Sequence, residues 1–571
     1  MKVSDYIVRF LEMQGVEYVF GYQGGMVTHM VDSLSKSEKT RFVPCYHEQN
    51  AAFAAEGYAR MSGRFGVCLV TSGPGATNTL TSVADAYFDS LPVLYITGQV
   101  NTYEYKYDKK IRQQGFQEVD IVSMSRPVAK DSFLADDSTK MREYLVRAVR
   151  SMLSGRKGPV VLDLPMDVQR ADISAEDVAR IESDRSDVDL SKEDVETIAS
   201  VMRKAKRPLV LCGGGIVDTA VQNAAYEFLK RTGYPYVVSL KGKGLVDETA
   251  PACVGMIGSY GNRCANFAMS RADVVLALGS RLDLRQTGNR KSKLLSKIKF
   301  VRIDPDSDEL EGGALPNQIA FRGDCRTFLT SQLAMNLRVP DSAWYGMLQG
   351  LKRDYSQQAD VGRLSENDLP YRIMNRIMSY AGKRDGFVVD VGQNQMWAAQ
   401  TIRSNGKQPF VTSGGMAPMG YAIPAAVGFS FADRSRHVYC LCGDGGFHIA
   451  VQALLLISQY HLPITVVVLN NRALGMITQF QRLYFGSNLA GTTKQGGYCV
   501  PNLEHLAKAY GLRYLRVSDV RDFTGGYSGG ELIEVVIEGA TSVVPKLEFN
   551  KDLDKMTPSV DLFDRMGEVV R

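Results

Sequence analysis

Two apolar segments in the last third of the chain end in small or polar residues. The first reads HVYCLCGDGG (residues 437–446), and the second reads ITVVVLNN (residues 464–471). Short apolar runs of this kind, followed by glycine or asparagine, predict buried strands of a parallel sheet. Ligands bind at the carboxyl ends of such strands. We therefore expect Asp444 and Asn471, which follow the two runs, to lie together at one edge of a sheet.

The residue types at the two strand ends suit a metal ion and a phosphate group. Carboxylate and amide oxygens, here those of Asp444 and Asn471, are ligands for Mg²⁺, which commonly keeps water and substrate phosphate oxygens as its other ligands. The backbone amides of Gly443, Gly445 and Gly446 are open to a phosphate group. Tight turns use the same residue types. The motif Gly443-Asp444-Gly445 is followed, after 24 residues, by Asn470-Asn471. This pair of motifs nevertheless favours a site for Mg²⁺ and a diphosphate.

Short apolar runs alternate with helical segments along the rest of the chain, in three blocks. The blocks span residues 1–174, 191–337 and 365–571, in agreement with about three or four domains for a chain of 571 residues. The alternation predicts an α/β fold in which each domain is a doubly wound parallel sheet. The first and third blocks are similar in size and pattern, which indicates two related domains.

Each block contributes four predicted strands. They are Tyr18–Phe20, Val67–Thr71, Val93–Thr97, Val160–Leu164, Pro208–Cys212, Tyr236–Ser239, Val274–Gly279, Phe300–Asp304, Gly386–Val391, His437–Cys442, Ile464–Asn470 and Leu532–Ile537. Residues 1–15 predict an amphipathic helix. Residues 173–194 are charged and contain no glycine, so we expect a surface helix and a linker there.

The composition excludes several classes of protein. Lys and Arg number 67 and exceed the 62 Asp and Glu by only 5, which is too few to predict a nucleic-acid partner. The longest apolar stretches are about half as long as a membrane-spanning helix, so no membrane association is expected. The nine cysteines are scattered and odd in number, which favours a reduced, cytoplasmic compartment.

Other short motifs carry a resemblance to a known family. They are HEQ (residues 47–49), TSGPGATN (71–78), ITGQ (96–99), FQE (116–118), GPV (158–160), VGQNQMW (391–397) and TSGG (412–415). Together with the two strand-end motifs, they resemble the acetolactate synthase group of thiamine-diphosphate (ThDP) enzymes. The resemblance extends from Tyr18 to about Tyr514 and is specific to the decarboxylases and carboligases of that superfamily.

The resemblance implies an activity, cofactors and an assembly. The group decarboxylates pyruvate and transfers the two-carbon (acetyl/hydroxyethyl) unit to a carbonyl acceptor, with ThDP and Mg²⁺ as cofactors. Residues 1–174 would bind the pyrimidine of ThDP, residues 191–337 would form a central FAD-binding-like domain, and residues 365–571 would bind the diphosphate and Mg²⁺. Because the first domain of one subunit meets the third domain of another in this superfamily, a homodimer or homotetramer is expected.

The resemblance also implies roles for individual residues. Glu48 matches the acid that hydrogen-bonds the aminopyrimidine ring and assists proton removal at C2, although the helix dipole also favours an acid in a first turn. Met419 matches an apolar wedge under ThDP, and Asp444, Asn471 and the carbonyl of Ala473 match metal ligands. Glu48 and Gln117 are the catalytic candidates, and cofactor contacts are implied for Tyr22, Gly24, Glu48, Pro74, Asn78, Gly392, Gln393, Asn394, Met419, Gly443, Gly445, Gly446, Gly475 and Met476.

The middle block implies a second cofactor. A glycine run after a strand, as here, is weak evidence for a nucleotide, but residues 277–288 resemble the segment that holds FAD in acetolactate synthases. The flavin of that group is largely structural, because decarboxylation followed by ligation has no net redox change. Pyruvate decarboxylases lack flavin in this domain, so an empty domain is the alternative. FAD contacts are implied for Arg156, Gly213, Gly214, Arg281, Asp283, Arg285 and Asp304.

The acceptor side of the site departs from the family pattern. Phe480 stands where a Trp usually helps to choose the 2-keto acid acceptor, and residues 106–112 are unusually basic. Three functions stay open: transfer to a second pyruvate, which gives 2-acetolactate; transfer to a ketone of a nucleotide-linked sugar; and C–C cleavage by a ThDP-dependent lyase or hydrolase. Arg285 fits either acceptor through a carboxylate or a phosphate. The sequence predicts no particular regulatory subunit.

Overall fold

The computed structural model describes residues 1–174, 176–182, 189–289, 296–338, 342–364 and 367–560. These residues form three six-stranded sheets with helices on their faces, and the neighbouring strands within each sheet are parallel. The predicted α/β fold with three doubly wound parallel sheets is confirmed. Residues 365, 366 and 561–571 of the third predicted block lie outside the described residues.

The first sheet and its helices come from the amino-terminal part of the chain. In chain order they are α1 (Val3–Met13), β1 (Tyr18–Tyr22), α2 (Thr28–Ser35), β2 (Arg41–Pro44), α3 (Glu48–Ser62), β3 (Gly66–Val70), α4 (Pro74–Thr77), α5 (Leu80–Phe88), β4 (Val93–Gln99), α6 (Ile121–Ser125), β5 (Asp131–Leu134), α7 (Met141–Leu153), β6 (Val160–Pro165) and α8 (Met166–Arg170). The amphipathic helix expected over residues 1–15 is therefore present as α1.

The second sheet and its helices follow. They are α9 (Lys192–Lys204), β7 (Pro208–Cys212), α10 (Thr219–Thr232), β8 (Tyr236–Val238), β9 (Cys253–Met256), α11 (Arg263–Arg271), β10 (Val274–Leu278), α12 (Leu284–Thr287), β11 (Lys299–Asp304), α13 (Ser307–Gly312), β12 (Gln318–Arg322), α14 (Cys325–Leu329) and α15 (Gln332–Met335). Short 3-10 helices lie at Gly25–Val27, Thr102–Glu104, Arg126–Val128, Ser138–Lys140, Gly214–Ile216, Leu240–Gly242, Val451–Ala453 and Val520–Asp522.

The third sheet is preceded by two connecting helices and followed by a small hairpin. The elements are α16 (Ser342–Asp354), α17 (Gln357–Leu364), α18 (Leu369–Tyr380), β13 (Gly386–Val389), α19 (Gln393–Thr401), β14 (Phe410–Val411), α20 (Ala422–Ala432), β15 (Val438–Gly443), α21 (Asp444–Ile449), α22 (Leu454–Gln459), β16 (Ile464–Asn470), α23 (Gly475–Tyr484), α24 (Leu503–Ala509), β17 (Arg513–Val517), β18 (Glu531–Val536), β19 (Lys546–Leu547) and β20 (Met556–Thr557).

The order of the strands relates the first and third sheets to each other. The first sheet has the order β2-β1-β3-β4-β6-β5, and the third has β14-β13-β15-β16-β18-β17. When each sheet is numbered from its own first strand, the two orders are identical. The second sheet has the order β12-β11-β10-β7-β8-β9, which is the arrangement of dinucleotide-binding sheets, with the order reversing between β10 and β7.

All twelve predicted strands are present, each within two residues at either end. Six strands of the three large sheets were not predicted, namely β2, β5, β9, β12, β14 and β17, and each lies at the edge of its sheet. The two short strands of the hairpin, β19 and β20, were not predicted either. Central strands are buried along their whole length or nearly so, whereas β12 and β17 are mostly exposed or half-buried. A continuous apolar run is expected only of a strand covered on both faces.

The helix expected within residues 173–194 is not found in the part of that segment that the structure describes. Helix α9 begins only at Lys192, and residues 175 and 183–188 lie outside the described residues. The described portion runs along α1 instead. The side chain of Gln14 accepts a hydrogen bond from the Ile181 amide at 2.8 Å, and Arg9 pairs with Asp177 at 2.5 Å. Contacts with α1 thus replace helical hydrogen bonds.

Other sequence expectations concern thiols and membranes. Eight cysteines are buried, Cys499 is exposed, and all nine are free thiols. Among the helices that the structure describes, none is both long enough and apolar enough to cross a membrane.

Helices α3 and α20 join the first domain to the third through direct backbone contact. A methyl group added to Gly57 of α3, or to Gly428 of α20, would overlap carbonyl groups of the opposite helix. Both helices are rich in alanine, and every residue of α20 from Ala422 to Phe431 is buried. Small side chains therefore set the distance between the two domains.

We expect Gly57→Ala to destabilise the protein by about 1–3 kcal/mol, because the methyl group has no space between the helices. Gly346→Ala is the matched control, since Gly346 lies in helix α16 with no atom within 4 Å of the added carbon. That control should be neutral or stabilising by up to about 1 kcal/mol. Urea unfolding midpoints measure both, and equal midpoints for the two variants would contradict the packing argument.

Candidate active site

The two strand-end motifs lie side by side. Strands β15 and β16 pair in parallel with Gly443 opposite Leu469, so the residues that follow them share one edge of the third sheet. Asp444 is the first residue of α21 and is only 2% exposed. Its Oδ1 accepts hydrogen bonds from the Gly445 amide at 2.8 Å and from the Tyr498 hydroxyl at 3.1 Å. Burial raises the pKa of Asp444 to about 6.

The second carboxylate oxygen of Asp444 has no partner at ordinary hydrogen-bond geometry among the described residues, although the nearby Arg472 and Ala473 amides partly offset the rise that burial causes in the pKa of this carboxyl. Oδ2 is buried and accepts no hydrogen bond from the described residues. A buried carboxylate oxygen without a partner is costly, and a bound cation removes that cost. No group of three or more His, Cys, Asp or Glu that could hold a metal occurs among the described residues. A Mg²⁺ site needs no such group, because amide, carbonyl, water and phosphate oxygens complete it.

Asn471 and Gln393 form a polar network beside Asp444. The amide of Asn471 donates to Thr541 Oγ1 at 2.9 Å, and its Oδ1 accepts from the Ala473 amide at 3.2 Å. The Thr541 hydroxyl donates to Gln393 Oε1 at 2.7 Å. This network holds the Asn471 side chain and the Ala473 backbone in one turn, which places the predicted ligand residues next to one another.

Gly392, Gln393 and Asn394, which the family resemblance matches to a loop that contacts the diphosphate, follow β13. Gly392 has a φ of 108°, in the range that favours glycine, and precedes helix α19. Asn394 uses its amide group within the sheet, since Nδ2 donates to the carbonyls of Asp390 at 2.8 Å and Leu441 at 3.3 Å. The hydrogen bonds of Asn394 therefore fix the two strand ends, and its donor is not directed at a phosphate.

Met419 lies against the glycine turn. A methyl group added to Gly445 would be 2.8 Å from the Met419 terminal carbon, and Met419 is 37% exposed. Gly475 begins helix α23, and Met476 beside it accepts a hydrogen bond from the Tyr260 hydroxyl at 3.3 Å. Met419, the predicted wedge, thus lies near the Asp444 turn of the third domain. Gly475 and Met476, which are also predicted to contact the cofactor, lie at the start of α23.

The first domain brings together the other predicted residues. Glu48 begins α3, and its Oε2 accepts a hydrogen bond from Asn78 Nδ2 at 2.9 Å. Pro74 begins α4, and a methyl group on the neighbouring Gly73 would be 2.9 Å from the carbonyl oxygen of Gln117. Gln117 has a φ of 63°, a strained value for a residue with a side chain. Glu48 thus contacts Asn78, and Gln117 lies beside the glycine that precedes Pro74.

Tyr22 ends strand β1 and Gly24 follows it, at the carboxyl edge of the same sheet. Tyr22 is 39% exposed, and a methyl group on Gly24 would be 2.5 Å from Thr71 Cβ. The hydrogen bonds of Glu48 stay within the first domain, and none among the described residues reaches the Asp444 turn.

A cavity of about 320 Å³ lies against the middle domain and is lined by residues of all three domains, among them Arg60, Gly214 and Gly414. It lies where the strand order reverses, at the carboxyl ends of β7 and β10, which is the place where such sheets bind dinucleotides. Six of the seven residues predicted to contact FAD line it: Arg156, Gly214, Arg281, Asp283, Arg285 and Asp304. Gly213 is not among the lining residues. Its amide donates to the Leu278 carbonyl at 2.9 Å, so Gly213 serves the close approach of two loops.

The charged residues of the cavity are partly paired within the protein. Arg156 lies 3.2 Å from Asp306 and 3.1 Å from Glu309. Burial raises the pKa of Asp304, which accepts a hydrogen bond from the Asp306 amide at 3.0 Å. Arg285 donates to Gln395 Oε1 at 3.3 Å. The Arg156 pairs join the first domain to the middle domain at the cavity wall.

Sequence reasoning missed several residues of these sites. Tyr498 follows α23 in an irregular segment and reaches Asp444 across 54 residues of chain, and Thr541 reaches Asn471 across 70. Neither residue belongs to a recognisable motif. Their positions depend on long-range folding, so no local pattern signals them.

Comparison with known proteins defines first the class. The thiamine pyrophosphate enzyme family matches the chain in three parts: its N-terminal TPP binding domain at residues 1–124, its central domain at residues 195–331, and its C-terminal TPP binding domain at residues 390–527. The fold, the strand-end turn and these matches together define an enzyme that binds thiamine diphosphate.

Curated relatives then define the branch. The acetolactate synthase isozyme 1 large subunit of Escherichia coli (strain K12) is 31% identical over 548 residues, which is 95% of each chain. The isozyme 2 large subunit of the same organism is 34% identical over 95% of this chain and 97% of the relative. A probable acetolactate synthase large subunit of Methanococcus aeolicus is 32% identical over 90% and 88%. The chain belongs to the acetolactate synthase-like family of ThDP-dependent enzymes and is a carboligase, as predicted.

We expect Tyr498→Phe to weaken Mg²⁺-dependent ThDP binding about tenfold, because the variant loses a hydrogen bond to a charged carboxylate. Asp444→Ala should abolish that binding. Tyr514→Phe is the matched control, since its hydroxyl donates to Glu534 in the same domain. Calorimetric titration of ThDP at graded Mg²⁺ concentrations measures the effect. An unchanged Mg²⁺ requirement in Tyr498→Phe would refute the role of this hydroxyl.

Proposed function

We propose that the protein decarboxylates pyruvate with ThDP and Mg²⁺ and transfers the two-carbon unit to the carbonyl of a second 2-keto acid. With pyruvate as acceptor the product is 2-acetolactate. The family membership supports the carboligase chemistry, and the names of the curated relatives support this acceptor. The observation that carries the proposal is the buried, unpartnered oxygen of Asp444 beside Asn471 at two neighbouring strand ends.

The residues of the third domain would hold the cofactor. Bound ThDP supplies a nucleophilic carbon that accepts the two-carbon unit as CO₂ leaves. Asp444, Asn471 and the Ala473 carbonyl would hold Mg²⁺, and the Gly446 amide would face the diphosphate. The Gly445 amide, which was predicted to be open, donates to Asp444 instead. Met419, which lies against the Gly445 turn, would support the bent cofactor. The chain itself thus contributes binding and orientation.

The residues of the first domain would handle the proton. Glu48 Oε2 already accepts from Asn78, so Oε1 is the oxygen available to a ring nitrogen of the cofactor. Gln117, held in a strained conformation beside Pro74, would contact the substrate. Among the described residues, Glu48 makes no hydrogen bond to the Asp444 turn of the same chain. The family resemblance implies that the first domain of one subunit meets the third domain of another, so we propose that two copies complete each site, as a homodimer or homotetramer.

We further propose FAD in the cavity of the middle domain. The position of the cavity at the reversal of strand order supports a dinucleotide. The flavin would be structural, since the reaction has no net redox change. The domain limits proposed for these three functions are residues 1–174, 191–337 and 365–571.

A second candidate acceptor is a ketone on a nucleotide-linked sugar. Helix α23 exposes an aromatic cluster, in which the Phe480 ring lies 4.9 Å from that of Tyr484 and 5.7 Å from that of Phe485. Lys546 Nζ is 5.9 Å from the Tyr484 ring. Aromatic faces beside a cation suit a base and an attached phosphate. This surface favours an acceptor larger than pyruvate.

We expect Glu48→Gln to keep ThDP affinity and to reduce CO₂ release from labelled pyruvate by about 10²–10⁴-fold, because the variant lacks the acid that shares the proton. Exposed Glu38, on the same domain, provides the control variant Glu38→Gln. Products are identified from labelled pyruvate alone and with nucleotide-linked ketosugars. Acetolactate formation supports the first acceptor, and CO₂ release that accelerates only with a ketosugar supports the second. The carboligase proposal fails if the wild type releases no CO₂ under either condition.

We expect the purified protein to be yellow and to release FAD on denaturation. Absorption spectroscopy and chromatography of the released cofactor measure the flavin content. A fully active protein that contains no flavin would contradict the assignment of the cavity.

A further inference from the structure

Asp89 collects hydrogen bonds from all three domains. It follows helix α5, and its side chain is only 1% exposed. Arg60 of the first domain donates to Asp89 Oδ2, as does Lys241 of the middle domain at 2.8 Å. The amides of Gly414 and Gly415 in the third domain donate to the two oxygens at 3.1 and 2.9 Å. One carboxylate thus joins three parts of the chain that are distant in sequence.

Gly414 and Gly415 belong to residues 412–420, which we call the Met419 loop. The carboxyl end of this loop is held by Asp390, which accepts hydrogen bonds from the Gly420 amide at 3.2 Å and the Ala422 amide at 2.9 Å. At the amino end, the third domain contributes Gln395, which donates to Thr412 Oγ1 at 2.7 Å and to the Ser413 carbonyl at 2.9 Å. The Gly414 and Gly415 amides donate to Asp89, and the Ser413 hydroxyl donates to Asp85 at 2.5 Å. The first domain therefore supplies the carboxylates that hold this end of the loop.

Lys241 connects the same loop to the wall of the middle cavity. Its Nζ donates to the Thr412 carbonyl at 2.7 Å as well as to Asp89. Its side chain passes between two glycines: a methyl group on Gly214 would be 2.7 Å from Lys241 Cβ, and one on Gly414 would overlap Lys241 Cδ. The loop and the cavity wall thus pack against opposite sides of one lysine.

The charge state of this cluster suits a permanent anchor. Burial alone would raise the pKa of Asp89, but the charges of Lys241 and Arg60 and the hydrogen bonds from Lys241 and Gly414 outweigh it and hold that pKa well below its usual range. Burial lowers the pKa of Lys241 to about 8, partly offset by Asp89. At neutral pH Asp89 is ionised, so the Gly414 and Gly415 amides meet a full negative charge.

We propose that Asp89, neutralised by Lys241 and Arg60, is a positioning residue that fixes the Met419 loop at the ThDP site. The inference rests on the proposed role of Met419. An ordinary buried ion pair would contribute only to stability, and its loss would leave cofactor affinity unchanged. Asp89 differs from such a pair because two of the four groups that donate to it are backbone amides of the Met419 loop. ThDP affinity in the third domain therefore depends on a carboxylate from the first.

The test is ThDP binding to the apoenzyme of Asp89→Asn at saturating Mg²⁺, measured by calorimetry, together with the KM for ThDP and kcat. We expect the ThDP Kd and KM to rise about tenfold or more, because a neutral amide replaces the ionised acceptor. The kcat at saturating ThDP should fall much less, since Asp89 does not touch the reacting atoms. A wild-type Kd and KM in a folded Asp89→Asn protein would overturn the proposal.

Lys241→Met provides a second variant if Asp89→Asn does not fold. It retains Arg60 as the partner of Asp89 and should raise the ThDP Kd several-fold. Lys243→Met is the matched control, because Lys243 is a buried lysine that pairs with Glu248 and donates to the Ile402 carbonyl, away from the Met419 loop. The control should lower the unfolding midpoint without changing the ThDP Kd.

The outcomes separate this inference from the proposed function. Wild-type ThDP affinity in Lys241→Met, or an equal rise of the Kd in Lys243→Met, would overturn the positioning role while leaving the carboligase intact. A wild-type protein that binds no ThDP at saturating Mg²⁺ would instead overturn the function on which the inference rests.

Discussion

The buried carboxylate of Asp444 sets the central constraint on this protein. One of its oxygens is held by the Gly445 amide and the Tyr498 hydroxyl, and the other is buried without a partner among the described residues. An ionised group in this position costs free energy unless a cation compensates it. In the neighbouring turn, the Ala473 amide donates a hydrogen bond to the side-chain oxygen of Asn471. The Mg²⁺ and the anionic cofactor that we propose for this site would remove that cost.

The domain interfaces serve the same site. Helices α3 and α20 meet through glycine and alanine, so the first and third domains approach to backbone contact. At that distance the carboxylates of Asp85 and Asp89 reach the start of the Met419 loop. A larger side chain in the helix contact would move these anchors together with the helix. The contact between α3 and α20 therefore affects the position of Asp85 and Asp89, and through them the start of the Met419 loop.

The strands show where sequence periodicity carries information. Every central strand was predicted, because a strand covered on both faces reads as a continuous apolar run, as in Ile464–Asn470. Every edge strand was missed. Strand β17 (Arg513–Val517) is exposed or half-buried over most of its length, and β14 has only two residues. Such segments become strands only because a neighbouring strand offers hydrogen bonds, which no local pattern records. In the described part of residues 173–194 no helix precedes Lys192, and the residues there contact α1 instead, as Ile181 does through Gln14.

The sequence by itself determined the three α/β domains and the family, and it located the glycine turn with Asp444 and Asn471, because each of these features is written in consecutive residues. The family resemblance also matched Glu48 to the candidate acid, and that role stays a prediction. The tertiary structure alone decided which groups act on these residues. Tyr498 on Asp444, Thr541 on Asn471, and Lys241 with Asp89 on the Met419 loop are contacts between residues tens to hundreds of positions apart. Their energetic value depends on burial and on the approach of separate domains, and both arise only when the chain has folded.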